Sequence, residues 1–147
     1  MDEKIIKLTR LEGFNIMYEF LDIYFLQNRS GDLATILGGM SFVSEGRTAD
    51  PAMWGMWIES IDNICKKQNF KNDGMLTNFQ AFEVMMEFLD LYFGPQSYGD
   101  VEDFIRDIKL VIAHPSVPTI TWGNWLRAIK FTLSFEDSKN YLVLFKD

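Results

Sequence analysis

A chain of 147 residues that is 48% hydrophobic and 15% aromatic can bury one substantial core, which excludes wholesale disorder. Its formal charge of −7 argues against nucleic acid or an anionic membrane as partner, because both recruit a basic face. The single cysteine, Cys65, excludes an internal disulfide and fits a reducing compartment. The opening MDEKIIKL lacks the layout of a secretory signal and no apolar run approaches a membrane span, so a soluble cytoplasmic protein is expected.

After a short lead-in over 1–7, Thr9-x-x-Glu12 forms a capping box that opens a long helix running to Asn28-Arg29-Ser30-Gly31. Glu12, Asn15, Glu19 and Asp22 lie on one narrow stripe of it, and the rest is large and apolar, which predicts a mostly buried helix. Asp32 is expected to cap a shorter helix with Leu33, Ile36 and Leu37 inward, ended or kinked at Gly38-Gly39. Ser41 to Ala49 reads as a loop. Asp50-Pro51 then starts a helix carrying Met53, Trp54, Trp57, Ile58, Ile61 and Ile64.

The same plan then repeats at an offset of 68 residues. LTNFQAFEVMMEFLDLYF from Leu76 answers LTRLEGFNIMYEFLDIYF from Leu8, Gly99-Asp100 answers Gly31-Asp32, and Trp122-Gly-x-Trp125 answers Trp54-Gly-x-Trp57. Three landmarks at one offset indicate an internal duplication. In the second copy Gly94-Pro95 ends the long helix, and Asp100 is expected to cap the next, which continues to about Ala113 because Arg106-Asp107 replaces the glycine pair. An extended connector, His114 to Pro118, leads to a last helix capped by Thr119 or Thr121. Phe135 to Phe145 fits a helical extension or a short strand. The expected fold is all-α: one domain over 1–147 of two tandem three-helix repeats (8–67 and 76–135, with a seam over 68–75 and a tail over 136–147), packed with pseudo-twofold symmetry so that each covers the other's apolar face.

Candidate chemistry is sparse. Glu19-Phe-Leu-Asp22 and Glu87-Phe-Leu-Asp90 put four carboxylates on two helices expected to face one another, as in di-iron bundles, but the one histidine, His114, lies in the connector and no Glu-x-x-His occurs. Cys65 has no base in sight, and there is no phosphate loop, nucleophile elbow or dinucleotide fingerprint. No active site assembles, and no cofactor or metal is expected. Each tryptophan pair shares a helix face and reads as core anchors, one ring of each able to reach a rim. The loop with Glu45, Arg47 and Asp50, flanked by Met40 and Phe42, is not reproduced in the second copy, which marks it as a place for specificity. Charge is also uneven: no Lys or Arg lies between Lys71 and Arg106, where Asp73, Glu83, Glu87, Asp90, Asp100, Glu102 and Asp103 fall. That is a solvated acidic surface or a landing site for a basic protein.

The run Gly31-Asp32 … Leu37-Gly38-Gly39-Met40-Ser41 … Gly46 … Asp50-Pro51-Ala52-Met53-Trp54-x-x-Trp57, following an EFLDxYF helix, resembles small immunity proteins of bacterial polymorphic and contact-dependent growth inhibition systems. The likeness covers Leu8 to about Ile61; the second copy lacks the GGMS and DPAxW pieces. It implies a non-catalytic cytoplasmic protein that binds the C-terminal domain of a cognate toxin and blocks its active site. Many such toxins are nucleases with basic clefts, which an acidic helical partner would occupy. The residues expected to meet toxin Lys or Arg are Asp22, Glu45, Asp50, Glu87, Asp90, Asp100 and Asp103. The alternatives are a carboxylate-bundle protein for a metal or small ligand, and a helical adaptor.

Overall fold

The computed structural model describes residues 6–44, 47–94 and 97–136. They are predominantly helical. In order they form β1 (Lys7–Thr9), α1 (Arg10–Asn28), α2 (Gly31–Met40), β2 (Phe42–Ser44), β3 (Arg47–Thr48), α3 (Pro51–Gln68), β4 (Met75–Thr77), α4 (Asn78–Phe93), a single 3-10 turn (Gly99–Val101), α5 (Glu102–Ala113) and α6 (Ile120–Glu136). No helix among them is long and apolar enough to cross a membrane.

Both capping boxes form. Thr9 Oγ1 accepts from Glu12 N at 3.1 Å while Glu12 Oε1 accepts from Thr9 N at 2.8 Å, and Thr77 and Gln80 repeat the exchange at 3.0 and 2.9 Å. The residues just before the boxes pair with each other. β1 and β4 run antiparallel with Leu8 opposite Leu76, two residues 68 apart in sequence, and both leucines are fully buried. Two- and three-residue strands are too short to show a period, so neither this ribbon nor the β2–β3 hairpin, where a loop was expected, is visible in the hydrophobic pattern.

Packing interlocks the chain. α1 lies chiefly on α6, and α4 chiefly on α3, so each long helix finds its main partner in the other three-helix set. Trp57 and Trp125 join the layers. Trp57 sits between Phe14 of α1 and Phe88 of α4, with centroids at 6.0 and 6.4 Å; Trp125 sits between Phe82 of α4 and Phe20 of α1, at 5.1 and 5.4 Å. Their indoles, fully buried, donate to the first residues of the long helices, Trp57 Nε1 to Arg10 O at 3.0 Å and Trp125 Nε1 to Asn78 O at 3.3 Å. Gly13 makes room for Trp57, since a Cβ there would stand 3.0 Å from Cζ2. The partner rings Trp54 and Trp122 are half-buried.

Several caps differ from expectation. Ser30, not Asp32, caps α2 through Leu33 N, and α5 has no side-chain cap at all because Asp100 turns away from it. α2 runs through Gly38-Gly39 to Met40; Gly39 is used for close approach, its carbonyl accepting from Asp50 N at 2.9 Å and its Cα facing Met53. Asp50 caps α3 through Ala52 N with Pro51 in the first turn, as the sequence implies, and Thr119 rather than Thr121 receives Trp122 N. The open question over Phe135 to Phe145 falls almost wholly outside the described residues; α6 reaches Glu136.

Because each indole touches both long helices, Trp57→Ala and Trp125→Ala should each cost about 3–5 kcal/mol in denaturant unfolding. In a variant that stays folded, hydrogen-exchange protection should fall in α1 and α4 together; a loss confined to one three-helix set would contradict the interlock.

Candidate interaction surface

The sequence-selected carboxylates separate into groups. Asp100 and Asp32 meet where the two Gly-Asp turns touch. The Asp100 carboxylate accepts from Ser30 Oγ at 2.5 Å and from Gly31 N at 3.1 Å, holding the start of α2, while Asp32 Oδ2 accepts from Asp100 N at 2.9 Å. The turn needs glycine at 99: its φ is +63°, and a Cβ would collide with the Asp32 carboxylate. These bonds, the Ser30 hydroxyl foremost, hold the Asp100 carboxyl below its usual range.

Two tyrosines flank this junction. Tyr24 of α1 stacks on Phe104 with centroids 4.0 Å apart and lies within electrostatic reach of Asp103, Asp107 and Asp100. Tyr92, its counterpart 68 residues on, lies within reach of Asp32 and Asp50. Burial first, and these carboxylates second, push both phenols up. Asp103, Asp107 and Asp100 around Tyr24, and Asp32 and Asp50 around Tyr92, come from both three-helix sets, meet at the Asp32–Asp100 contact and are together called the acidic band. Asp103 also pairs with Arg106 at 2.9 Å, both side chains exposed, a contact of small value in water.

Glu87 and Asp90 lie elsewhere. With Glu83 they form one row of α4 along a groove closed by the end of α3 and by α5. Each is held by a neutral donor: Gln68 Nε2 to Glu83 at 2.8 Å, Asn63 Nδ2 to Glu87 at 2.9 Å and Tyr98 Oη to Asp90 at 2.6 Å. Asp22 makes no hydrogen bond or ion pair among the described residues; it stands beside Glu19, whose carboxyl is pushed up by burial and then by Asp22. Glu45 lies outside the described residues.

The two EFLD rows therefore do not close on one another, and among the described residues no three His, Cys, Asp or Glu side chains converge where a metal could sit. Cys65 is buried, and desolvation, with Asp62 and Asp73 behind it, pushes its thiol up. His114 is exposed in the connector. Sequence reasoning missed Tyr24, Tyr92, Asp107 and the neutral partners Asn63 and Gln68. For the tyrosines a signal existed, an identical aromatic at one repeat position. Comparison of the chain with protein-family models, curated proteins and solved structures returns no match.

Two carboxylates should give opposite pH signatures. Glu19 has a raised folded pKa, so its protonated form is favoured in the fold and its charge weakens the fold as pH rises past that value; Glu19→Gln should stabilise at pH 7, the gain vanishing as pH falls below the unfolded value of about 4.5. Asp100 has a lowered folded pKa, so it contributes stability above its unfolded value of about 3.8 that is lost as pH falls through the folded one. Asp100→Ala should destabilise at pH 7, with the deficit closing in acid. Chemical denaturation at pH 7 and near pH 3 measures both.

Proposed function

We propose that the chain is an immunity-type protein of the bacterial cytoplasm: a non-catalytic binder that neutralises a cognate toxin domain by laying its acidic band across a basic active-site cleft. The observation that carries this reading is the band itself, five aspartates around two half-buried tyrosines. Aspartates steer a cationic partner and favour fast encounter. Tyrosines supply rigid amphipathic contact area, the type enriched at interface centres. A nuclease cleft, basic because its substrate is a polyanion, is the complementary shape and charge. The resemblance of Gly31-Asp32 through Trp57 to growth-inhibition immunity proteins agrees with this, and Asp32 and Asp50, both within that run, lie in the band. Asp22, half-buried beside Glu19, is assigned to the periphery.

We also propose that the chain is a doubled three-helix unit with an approximate twofold axis between Leu8 and Leu76. Support comes from the antiparallel β1–β4 pairing at equivalent residues, and from the matching indole bonds of Trp57 and Trp125 to Arg10 and Asn78. On that reading the acidic band exists only in the doubled chain, since its two ends come from different copies.

The test is association with the toxin domain encoded beside this chain, followed by stopped-flow or surface-based kinetics. Raising salt from about 50 to about 500 mM shortens the screening length severalfold, and the association rate should fall by about tenfold or more with dissociation changing less. Replacing Asp103 and Asp107 by asparagine should slow association severalfold while the chain still unfolds cooperatively. Absence of a complex, or an association rate indifferent to salt, contradicts the reading.

A further inference from the structure

The groove between α3, α4 and α5 has a volume of about 310 Å³ and is chemically two-sided. Its apolar lining comes from Ile64, Met86, Ile112 and Ala113, and two lysines, Lys67 and Lys109, also border it. Its acidic wall is Glu83, Glu87 and Asp90, spaced four and three residues apart on one face of α4. Among the described residues no cation pairs with any of the three; the ion pairs there are Lys66 with Asp62 and Arg106 with Asp103. Lys109, at the groove edge, is committed to Tyr98, donating to its hydroxyl at 2.9 Å with Nζ 4.9 Å from the ring centroid. Each carboxylate thus spends one oxygen on a neutral donor and keeps a second for another partner. Burial pushes the Glu83 carboxyl up, against the smaller pulls of Gln68 and Lys67.

We propose that this groove receives a lysine or arginine side chain of a protein partner, the aliphatic stem lying on Met86 and Ile112 and the cation bridging the free oxygens of Glu87 and its neighbours. Charge complementarity selects the occupant. An anion meets three carboxylates set against two lysines, and a wholly apolar side chain covers the carboxylates' free oxygens without pairing them, whereas a long cationic side chain is apolar along its stem and charged at its tip. The inference rests on the proposed function only in taking the partner to be a protein; the groove is separate from the acidic band.

The test uses the full ¹⁵N-labelled chain titrated with Nα-acetyl-arginine amide and Nα-acetyl-lysine amide, with Nα-acetyl-norleucine amide as the uncharged control. The expected result is a saturable shift of the Asn63 and Gln68 side-chain amides and of the Ala113 backbone amide by the cationic probes and not by norleucine. Glu87→Gln should weaken that binding about fivefold, the loss of one partly exposed charge contact. Glu83→Gln, on the same wall, provides a second variant should the first fail to give a native spectrum. Shifts spread over every acidic surface, shifts centred on Tyr24 and Asp103 with none at Asn63 and Gln68, no shift, or binding indifferent to both variants overturn the proposal. Groove binding that persists when the toxin domain fails to associate removes the proposed function alone, and a salt-sensitive toxin complex with a silent groove removes this inference alone.

Discussion

Everything in this molecule depends on two buried indoles that each touch both long helices. A tryptophan is large enough to span the gap between helices and carries one donor that must be satisfied when water is removed. Trp57 and Trp125 place that donor on the first carbonyls of α1 and α4, where the capping boxes already hold the chain. The helix start, the strand pairing before it and the aromatic layer beneath it are thus one joint, present twice. Since α1 rests on α6 and α4 on α3, neither set of three helices has a closed core without the other.

That joint determines where charge is displayed. Holding the two Gly-Asp turns against each other brings Asp32 and Asp100 together, an arrangement that repulsion would oppose were the backbone N–H groups of Gly31 and Asp100 not there to receive the carboxylates. Tyr24 lies within electrostatic reach of Asp100, and Tyr92 of Asp32. On α4 the solution differs: carboxylates are anchored by the amides of Asn63 and Gln68 and the hydroxyl of Tyr98, which fix their direction without cancelling their charge. A protein that only needed solubility could leave such side chains free in water. Here several are held in fixed directions by neutral donors.

Much of this architecture was legible in the residues. Thr9-x-x-Glu12, Thr77-x-x-Gln80 and Asp50-Pro51 are local signals, and local signals survive because a cap needs only its own helix. Leu8 and Leu76, matched in sequence at an offset of 68, stand opposite each other in the β1–β4 pair. What failed to show were features decided by tertiary contact. Asp32 and Asp100 look like caps in sequence, yet the first holds the opposite turn and the second holds α2. Gly38-Gly39 looks like a stop until Met53 and Asp50 arrive beside it. Of the seven selected acidic residues, Asp50, Asp100 and Asp103 fall in one band, Glu87 and Asp90 in a separate groove, and spacing along the chain could not tell one from the other. The tyrosines at the centre of the band read as core, because aromatic residues at helical spacing usually are.

The sharpest measurement is to produce residues 1–74 and 75–147 as separate chains and follow helicity and cooperative unfolding alone and after mixing. If each long helix depends on the other set of three, neither fragment folds as a monomer, and mixing restores a helical one-to-one complex that melts as a unit. A single fragment that is monomeric, helical and cooperatively folded would contradict the interlock and the shared acidic band built on it.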